Sequence, residues 1–210
     1  MKVRAMWGAE SKEWVDGFLF IGNQPALDLL NTVLLSNNGS VERLPDTKAL
    51  KRWLIAAGLI STQRTARLSR SLKSSQGENF LKRLRAFRTR LRAAVLRLEA
   101  GKPPTRQFLA ELNGLLRTHP SRRAVVLRDR KLRREIFEPS TADDLWGLFA
   151  AATESLLCDT DPSRIRKCES CIGHFYDASK KGSRRWCSME LCGNKVKVAA
   201  YKKRQRIAES

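Results

Sequence analysis

Two pairs of cysteines near the C-terminal end of the chain constrain its fold more than any other feature. Cys168 and Cys171 form a CxxC pair, and Cys187 and Cys192 form a second, CxxxxC pair beyond a loop. Two such pairs, each on a tight turn, can supply four thiolates to one tetrahedral zinc ion. Disulfides are the alternative, but Cys158 makes the number of cysteines odd. We predict one structural zinc ion with no coordination position left for water or substrate.

The residues around these cysteines include one competing ligand and several aromatic side chains. His174 follows Cys171 by three positions. Because four thiolates already complete a tetrahedron, we interpret His174 as a loop residue. Phe175, Tyr176 and Trp186 are interpreted as the core of a small module that has little else to bury. Stacking of Trp186 on a nucleic-acid base is the alternative for that residue.

The net charge of the chain indicates the kind of partner that it binds. Lys and Arg number 41 against 21 Asp and Glu, a net charge of +20. Residues 163–210 hold 13 basic and 4 acidic residues, a net charge of +9. Such an excess favours polyanionic partners, with nucleic acid ahead of an anionic membrane. No apolar run approaches the roughly 20 residues of a membrane-spanning helix, so we expect no membrane partner.

The end of the chain predicts a basic helix that begins at Gly193-Asn194. Val196, Ala199 and Ala200 are expected to anchor this helix on the metal site, with its cations spread around it. Such a helix suits contact with phosphates or a nucleic-acid groove better than it suits a core. The residues that we predict to contact nucleic acid are Arg184, Arg185, Lys195, Lys197, Lys202, Lys203, Arg204 and Arg206.

This segment resembles a known family. The run Arg185-Trp186-Cys187-Ser188-Met189, leading into Cys192-Gly193-Asn194-Lys195, resembles the CGNR zinc finger, which is named for the tetrapeptide that begins at its last zinc ligand. Lys195 stands where the family name has Arg. The change keeps the charge but loses the planar bidentate fork, which affects phosphate contact less than recognition of a guanine edge.

Polar residues interrupt an apolar helix near the start of the chain. Residues 18–35 predict a short extended segment, a turn at Gly22-Asn23 in which Asn23 caps a helix, and then a helix that reaches Val33. Asp28 and Asn31 share one face of that helix. Either they form a buried hydrogen-bond network with neighbouring elements, or Asn23, Asp28 and Asn31 line a pocket for a small-molecule effector.

The same stretch carries a second resemblance. Gly22-Asn23, Ala26-Leu27-Asp28 and Asn31-Thr32 resemble the opening of the ABATE domain, which usually precedes a CGNR finger. The family is described as stress-induced transcription regulators, so the resemblance implies a regulatory role, including in the stress response. It implies an ABATE-like domain over residues 1–160 and a zinc finger over residues 163–208.

The middle of the chain is dominated by helical periodicity. Asp46 is predicted to cap one helix, and Thr141 with Asp144 to form the capping box of another that ends at a buried Cys158. Residues 79–99 predict the longest helix, after a loop at residues 74–77. Its polar face, which is either solvated or an accessory phosphate surface, holds Lys82, Arg83, Arg85, Arg88, Arg90, Arg92 and Arg97. A β-hairpin is predicted at residues 123–137.

These patterns predict an α+β, mostly α-helical protein. A helical domain with one β-hairpin is followed by a small treble-clef- or ribbon-like zinc finger that ends in a helix. We expect a cytoplasmic regulator that binds duplex DNA through the finger, while the larger domain senses an effector or forms a homodimer. An RNA-binding or ribosome-associated protein is the alternative. An enzyme is not expected, because there is no Gly-rich phosphate loop or nucleophile motif and only two histidines.

Overall fold

The structure, a computed structural model, describes residues 13–36, 39–62, 65–120, 123–128, 130–136 and 138–208. The chain forms two compact units. One spans Leu44–Thr160, and the other combines the N-terminal segment up to Arg43 with the C-terminal segment from Asp161. The described residues are mostly helical with small two-stranded antiparallel sheets, which confirms the predicted fold class.

The unit that spans Leu44–Thr160 is built from helices and one hairpin. Its helices are α2 (Thr47–Ala56), α3 (Ala66–Leu72), α4 (Ser75–Glu99), α5 (Arg106–Thr118) and α6 (Leu145–Cys158). The hairpin consists of β5 (Arg123–Arg128) and β6 (Lys131–Ile136), within the predicted bounds. The predicted cap of α2 forms, since Asp46 accepts from the N–H of Ala49 at 2.7 Å. Thr141 and Asp144 exchange side-chain to backbone bonds in the turn before α6, although the N-cap position of α6 itself is Asp144 and not Thr141.

Aromatic side chains from three helices form the core of this unit. The ring of Trp146 on α6 lies edge-on to Phe87 and Phe80 of α4, with centroids 5.6 Å and 5.1 Å apart. Trp53 of α2 stacks on Phe149 of α6 at 6.1 Å. Edge-to-face and offset pairs of this kind add to the stabilisation from burial alone. The predicted apolar stripes of these helices therefore meet in one core.

Helix α4 differs from the prediction at its N-terminus. It begins at Ser75, not after residue 77, because Gly77 is a packing residue and not a turn residue. A Cβ atom on Gly77 would lie 2.3 Å from the carbonyl oxygen of Leu72, so only glycine permits the close approach of α3 and α4. Cys158 at the end of α6 is exposed, and the prediction of a buried thiol is wrong.

The basic face of α4 is not simply solvated. Arg88 is buried, with only 6% of its surface exposed. The guanidinium of Arg85 donates to the carbonyl oxygen of Leu44, that of Arg90 pairs with Glu111, and that of Arg97 donates to Pro103. Long arginine side chains therefore hold neighbouring segments against α4, which a pattern of charges along one helix could not reveal.

The other unit is built from short elements. They are β1 (Trp14–Val15), β2 (Phe18–Leu19), α1 (Pro25–Leu30), β3 (Val33–Ser36), β4 (Gly39–Glu42), β7 (Ile165–Lys167), β8 (His174–Tyr176), a π-helical turn (Met189–Gly193) and α7 (Asn194–Ala208). The strands pair as three antiparallel ladders, β1 with β2, β3 with β4 and β7 with β8. Within the described part of the chain, no helix is both long and apolar enough to cross a membrane.

Two predictions about residues 18–35 are wrong. Helix α1 ends at Leu30, and Val33 lies in β3 opposite Glu42 of β4. Gln24 occupies the N-cap position, and Asn23 does not cap the helix, because its backbone has a left-handed φ of +56°. His174 likewise begins strand β8 and is buried, so its interpretation as a loop residue is also wrong.

Candidate metal centre and nucleic-acid interface

The four cysteines of the two pairs converge on one point. Their Sγ atoms all lie within 4.8 Å of one another. The Sγ atom of Cys187 lies 3.8 Å from that of Cys171 and 3.6 Å from that of Cys192. A regular tetrahedron with zinc–sulfur bonds of about 2.3 Å has sulfur–sulfur edges of roughly 3.8 Å. A disulfide needs about 2.05 Å, so the spacing fits a metal and not cross-links.

Backbone N–H groups prepare the first cysteine pair for a cation. The N–H of Ser170 donates to the Sγ of Cys168 at 3.4 Å, and that of Gly173 donates to the Sγ of Cys171 at 3.3 Å. Donors of this kind favour the thiolate form of each cysteine over the thiol. Thiolates are the form that binds zinc. The site holds one structural zinc ion, with all four positions taken by sulfur.

The apolar surroundings of the metal centre come from both ends of the chain. Phe175 and Cys192 are fully buried, and Trp186 packs against this cluster, as a core role predicts. Leu19, Ile21 and Leu34 of the N-terminal segment belong to the same cluster. The small zinc module therefore obtains its missing apolar core from residues more than 130 positions earlier in the chain.

Polar contacts join the same two segments through main-chain groups. Asn31, which is 1% exposed, accepts a hydrogen bond from the N–H of His174 and donates one to its carbonyl oxygen, both at 2.9 Å. The amide of Asn23 donates to the carbonyl oxygen of Tyr176 at 2.9 Å. The N–H of Tyr176 donates to the carbonyl oxygen of Gly22 at 2.8 Å. These hydrogen bonds hold the end of α1 and the turn before it against β8.

Gly173 is a residue of this contact that the sequence analysis missed. A Cβ atom there would lie 2.7 Å from the side chain of Ile21 and 3.2 Å from the Sγ of Cys171. A larger residue there would displace the end of the Ile21 side chain, because Ile21 and the turn of the first cysteine pair approach so closely. A glycine two positions after the second cysteine of the first pair was the available signal.

Asp28 holds the turn that precedes α1. Its Oδ1 accepts a hydrogen bond from the N–H of Gly22 at 2.7 Å. Burial raises the pKa of the Asp28 carboxyl to about 6, although backbone N–H groups of Gly22 and Ile21 act to lower it. Asn23, Asp28 and Asn31 thus all serve hydrogen bonds inside the unit. That they line an effector pocket stays a prediction.

Asp177 organises the loop between β8 and the second cysteine pair, and it too was missed. It is fully buried, and its carboxylate accepts from the N–H groups of Ser179 at 3.0 Å and Arg184 at 2.8 Å. Burial raises the pKa of Asp177, but these hydrogen bonds outweigh it and hold the pKa below its usual value. An Asp followed two positions later by a small residue is the Asx-turn signal in the sequence.

Arg184 and Arg185 both make contacts within the unit. The guanidinium of Arg184 lies 5.0 Å from the centre of the Phe175 ring and donates to the carbonyl oxygen of Cys187. Arg185 forms a forked pair with Glu169, at 2.8 Å and 2.6 Å, and lies over Trp186. Both of these predicted nucleic-acid ligands therefore have intramolecular partners. Arg184 in addition stabilises the turn at Cys187, a zinc ligand.

Helix α7 differs from the other helices in the described part of the chain in the exposure of its side chains. All of residues 194–199 are exposed, and so are the described side chains beyond them, Tyr201, Lys202, Arg204 and Gln205. The expectation that Val196 and Ala199 anchor the helix on the metal site is wrong; the side chain of Ala200 lies outside the described residues. The helix is held at its N-terminal end, where it continues the π-helical turn that carries Cys192. The side chains of Lys203 and Arg206 also lie outside the described residues.

Two family models match the chain, and together they cover most of it. The ABATE model, described as "Putative stress-induced transcription regulator", matches residues 23–160. The CGNR zinc finger model matches residues 164–205. Neither description is that of an enzyme. No curated protein is similar enough to the chain to count as a match.

Proposed function

Because the chain belongs to the ABATE family and carries a CGNR zinc finger, we propose that it is a transcription regulator that binds duplex DNA through helix α7. The zinc ion has a structural part in this function. With four sulfur ligands it offers no position to water or substrate, and it holds the start of α7 through Cys192.

The exposure of α7 is the observation that carries the proposal. A helix that packs within its own protein buries one face, yet every described side chain of α7 is exposed. Its 15 residues span about 22 Å, which is longer than the roughly 12 Å width of the major groove of DNA. A basic helix with no buried face among its described residues is suited to an external partner.

The charges on α7 indicate the chemistry of that partner. Lys195, Lys197, Lys202 and Arg204 are exposed along it, and the first turn of the helix contains no acidic residue. Neutralising phosphates with such cations releases condensed counterions, which is the main source of affinity in non-specific DNA binding. The roles of Arg184 and Arg185 as further phosphate ligands remain part of the proposal. Each would have to combine phosphate contact with its intramolecular partner.

We assign the regulatory half of the function to the part of the chain that matches the ABATE model, with effector sensing at Asn23, Asp28 and Asn31, or homodimerisation through the unit Leu44–Thr160. Three aliphatic side chains on its hairpin, Val125, Leu127 and Leu132, are each at least two-thirds exposed. Exposed apolar side chains grouped on one ribbon support a partner-binding role for this unit.

The test is a salt titration of binding by the full-length, zinc-loaded protein to a duplex DNA and to an RNA duplex of the same sequence. If about five phosphates are neutralised, log affinity should fall with log salt concentration at a slope of roughly −4 to −5 on DNA. Binding that does not depend on salt would contradict the proposal. Clearly tighter binding to the RNA would favour an RNA-binding protein instead.

A further inference from the structure

The exposed side chains of α7 are not distributed at random around the helix. At 3.6 residues per turn, Lys195 and Lys202 lie on one flank, and Lys197 and Arg204 lie on nearly the opposite flank. Between the two flanks, one arc carries Val198, Tyr201 and Gln205, spaced by three and four residues, and all three are exposed.

This arrangement matches the cross-section of the major groove of DNA. The groove is about 12 Å wide and admits one α-helix, with phosphates along both walls and base edges at the floor. A helix in the groove therefore needs cations on two opposite flanks and base-reading groups on the arc between them. Lys195 with Lys202 would meet one wall, and Lys197 with Arg204 the other.

The composition of the two remaining arcs decides which one faces the bases. Tyr201 and Val198 are 54% and 53% exposed, whereas Val196 on the opposite arc is 37% exposed. Gln205 and Tyr201 can both donate and accept hydrogen bonds, whereas the opposite arc carries Val196, which has no such group, and, by its place in the sequence, Lys203, which can only donate. The Nε2 atom of Gln205 donates to the hydroxyl of Tyr201 at 2.7 Å, which holds the amide plane in one orientation.

We propose that Val198, Tyr201 and Gln205 form the base-reading face of α7 in the major groove; this inference rests on the proposed function. A glutamine amide pairs with the N6 and N7 positions of adenine, and an aliphatic side chain contacts the methyl group of thymine. The face therefore selects A·T pairs. Gln205 and Val198 are two helical turns, or about 10 Å, apart, which corresponds to roughly three base pairs.

The experiment selects bound sequences from a randomised duplex library with the full-length, zinc-loaded protein. The wild-type protein should enrich a site with an adenine and, about three base pairs away, a thymine. Gln205→Ala should lose roughly tenfold discrimination at the adenine, because one bidentate contact carries discrimination of that order. Tyr201→Phe should lose part of this discrimination, since the Gln205 amide is no longer held by the Tyr201 hydroxyl. Circular dichroism verifies that each variant keeps its helices, which is expected for exposed positions.

Two control variants separate this inference from the proposed function. Lys197→Ala should weaken binding to all sequences alike and keep the preference, because phosphate contacts carry no sequence information. Val196→Ala, on the opposite arc, should change neither the affinity for DNA nor the sequence preference. Duplex binding without any preference, or a preference that survives Gln205→Ala, would overturn the inference and leave the proposed function standing. No binding of the wild-type protein to duplex DNA would overturn both.

Discussion

The side-chain amide of Asn31 and the main chain of His174 exchange two hydrogen bonds, although the residues are 143 positions apart. The pair is buried, and it joins helix α1 to the strand that follows the first cysteine pair. An amide that bonds to both the N–H and the carbonyl of one residue imitates one rung of a β-ladder. The N-terminal segment is thus built into the metal-bearing unit.

Replacing Asn31 with leucine should strongly destabilise this unit. The substitution keeps the volume but removes two buried hydrogen bonds to the main chain of His174, at roughly 1–3 kcal/mol for each group. Chemical denaturation of the zinc-loaded protein measures the loss. Asn23→Gly is the matched control: it removes one exposed bond to Tyr176 without backbone strain at the left-handed φ, so its cost should stay below about 1 kcal/mol. Equal losses in the two variants would contradict this account of Asn31.

The Asp28 carboxyl should make stability depend on pH. Its pKa is about 6 in the folded protein, against 3.8 for an unperturbed aspartate, so the folded state binds the proton more tightly. The associated stabilisation is complete below pH 3.8 and is lost as the pH rises through about 6. Asp28→Asn retains an oxygen for the N–H of Gly22 but carries no charge. Relative to that of the wild type, the free energy of unfolding of Asp28→Asn should therefore rise by on the order of 1–2 kcal/mol between pH 4 and pH 7.

The measurement is a series of denaturant titrations at several pH values for both proteins. Parallel curves for the wild type and Asp28→Asn would show that this carboxyl is not perturbed. Asp28→Ala, which leaves the N–H of Gly22 without its acceptor, should be less stable than Asp28→Asn at every pH.

Loss of zinc should reach beyond the finger itself. Cys187→Ser removes one of four ligands, and zinc binding in small modules contributes on the order of 10 kcal/mol to folding. We expect well under one zinc per chain and loss of order in residues 166–206. Amide exchange should also become faster in α1, which packs against β8, and in β3, whose Leu34 belongs to the apolar cluster of the metal centre. The helices of the unit Leu44–Thr160 should persist.

Cys158→Ser is the control for this experiment, because Cys158 is exposed and lies outside the four-cysteine group. Its zinc content and exchange pattern should equal those of the wild type. Unchanged protection of α1 and β3 after zinc removal would mean that the N-terminal segment is stable without the metal centre.

Removing two cations from α7 should change the salt dependence of DNA binding. Lys197→Ala together with Lys202→Ala should flatten the slope of log affinity against log salt by about two units, if each cation neutralises one phosphate. Lys48→Ala with Lys73→Ala removes the same charge from exposed positions of the other unit. That control should leave the slope unchanged. A similar flattening in both double variants would indicate a general effect of net charge and not a contact surface on α7.

The features that the sequence predicted correctly are those with a local physical cause. The cysteine spacing predicted the metal ligands because tight turns bring close pairs together, and the helices of the middle unit were predicted because apolar periodicity and caps act within a few residues. The predicted ends of helices were wrong where tertiary packing determines them. Gly77 is read as a turn residue from the sequence, but it serves a close contact between two helices.

The sequence by itself determined the zinc ligands, the helical character of the middle unit and a C-terminal helix with an excess of cations. Only the tertiary structure decided what covers the metal centre and which cations face outward. Asn31 and Asn23 bond to the main chain of β8, which every residue type possesses, so no pattern in the sequence marks their partners. Arg185 and Lys197 carry the same charge in the sequence, and only the position of Glu169 beside Arg185 distinguishes an arginine with an ion-pair partner from an exposed lysine on α7.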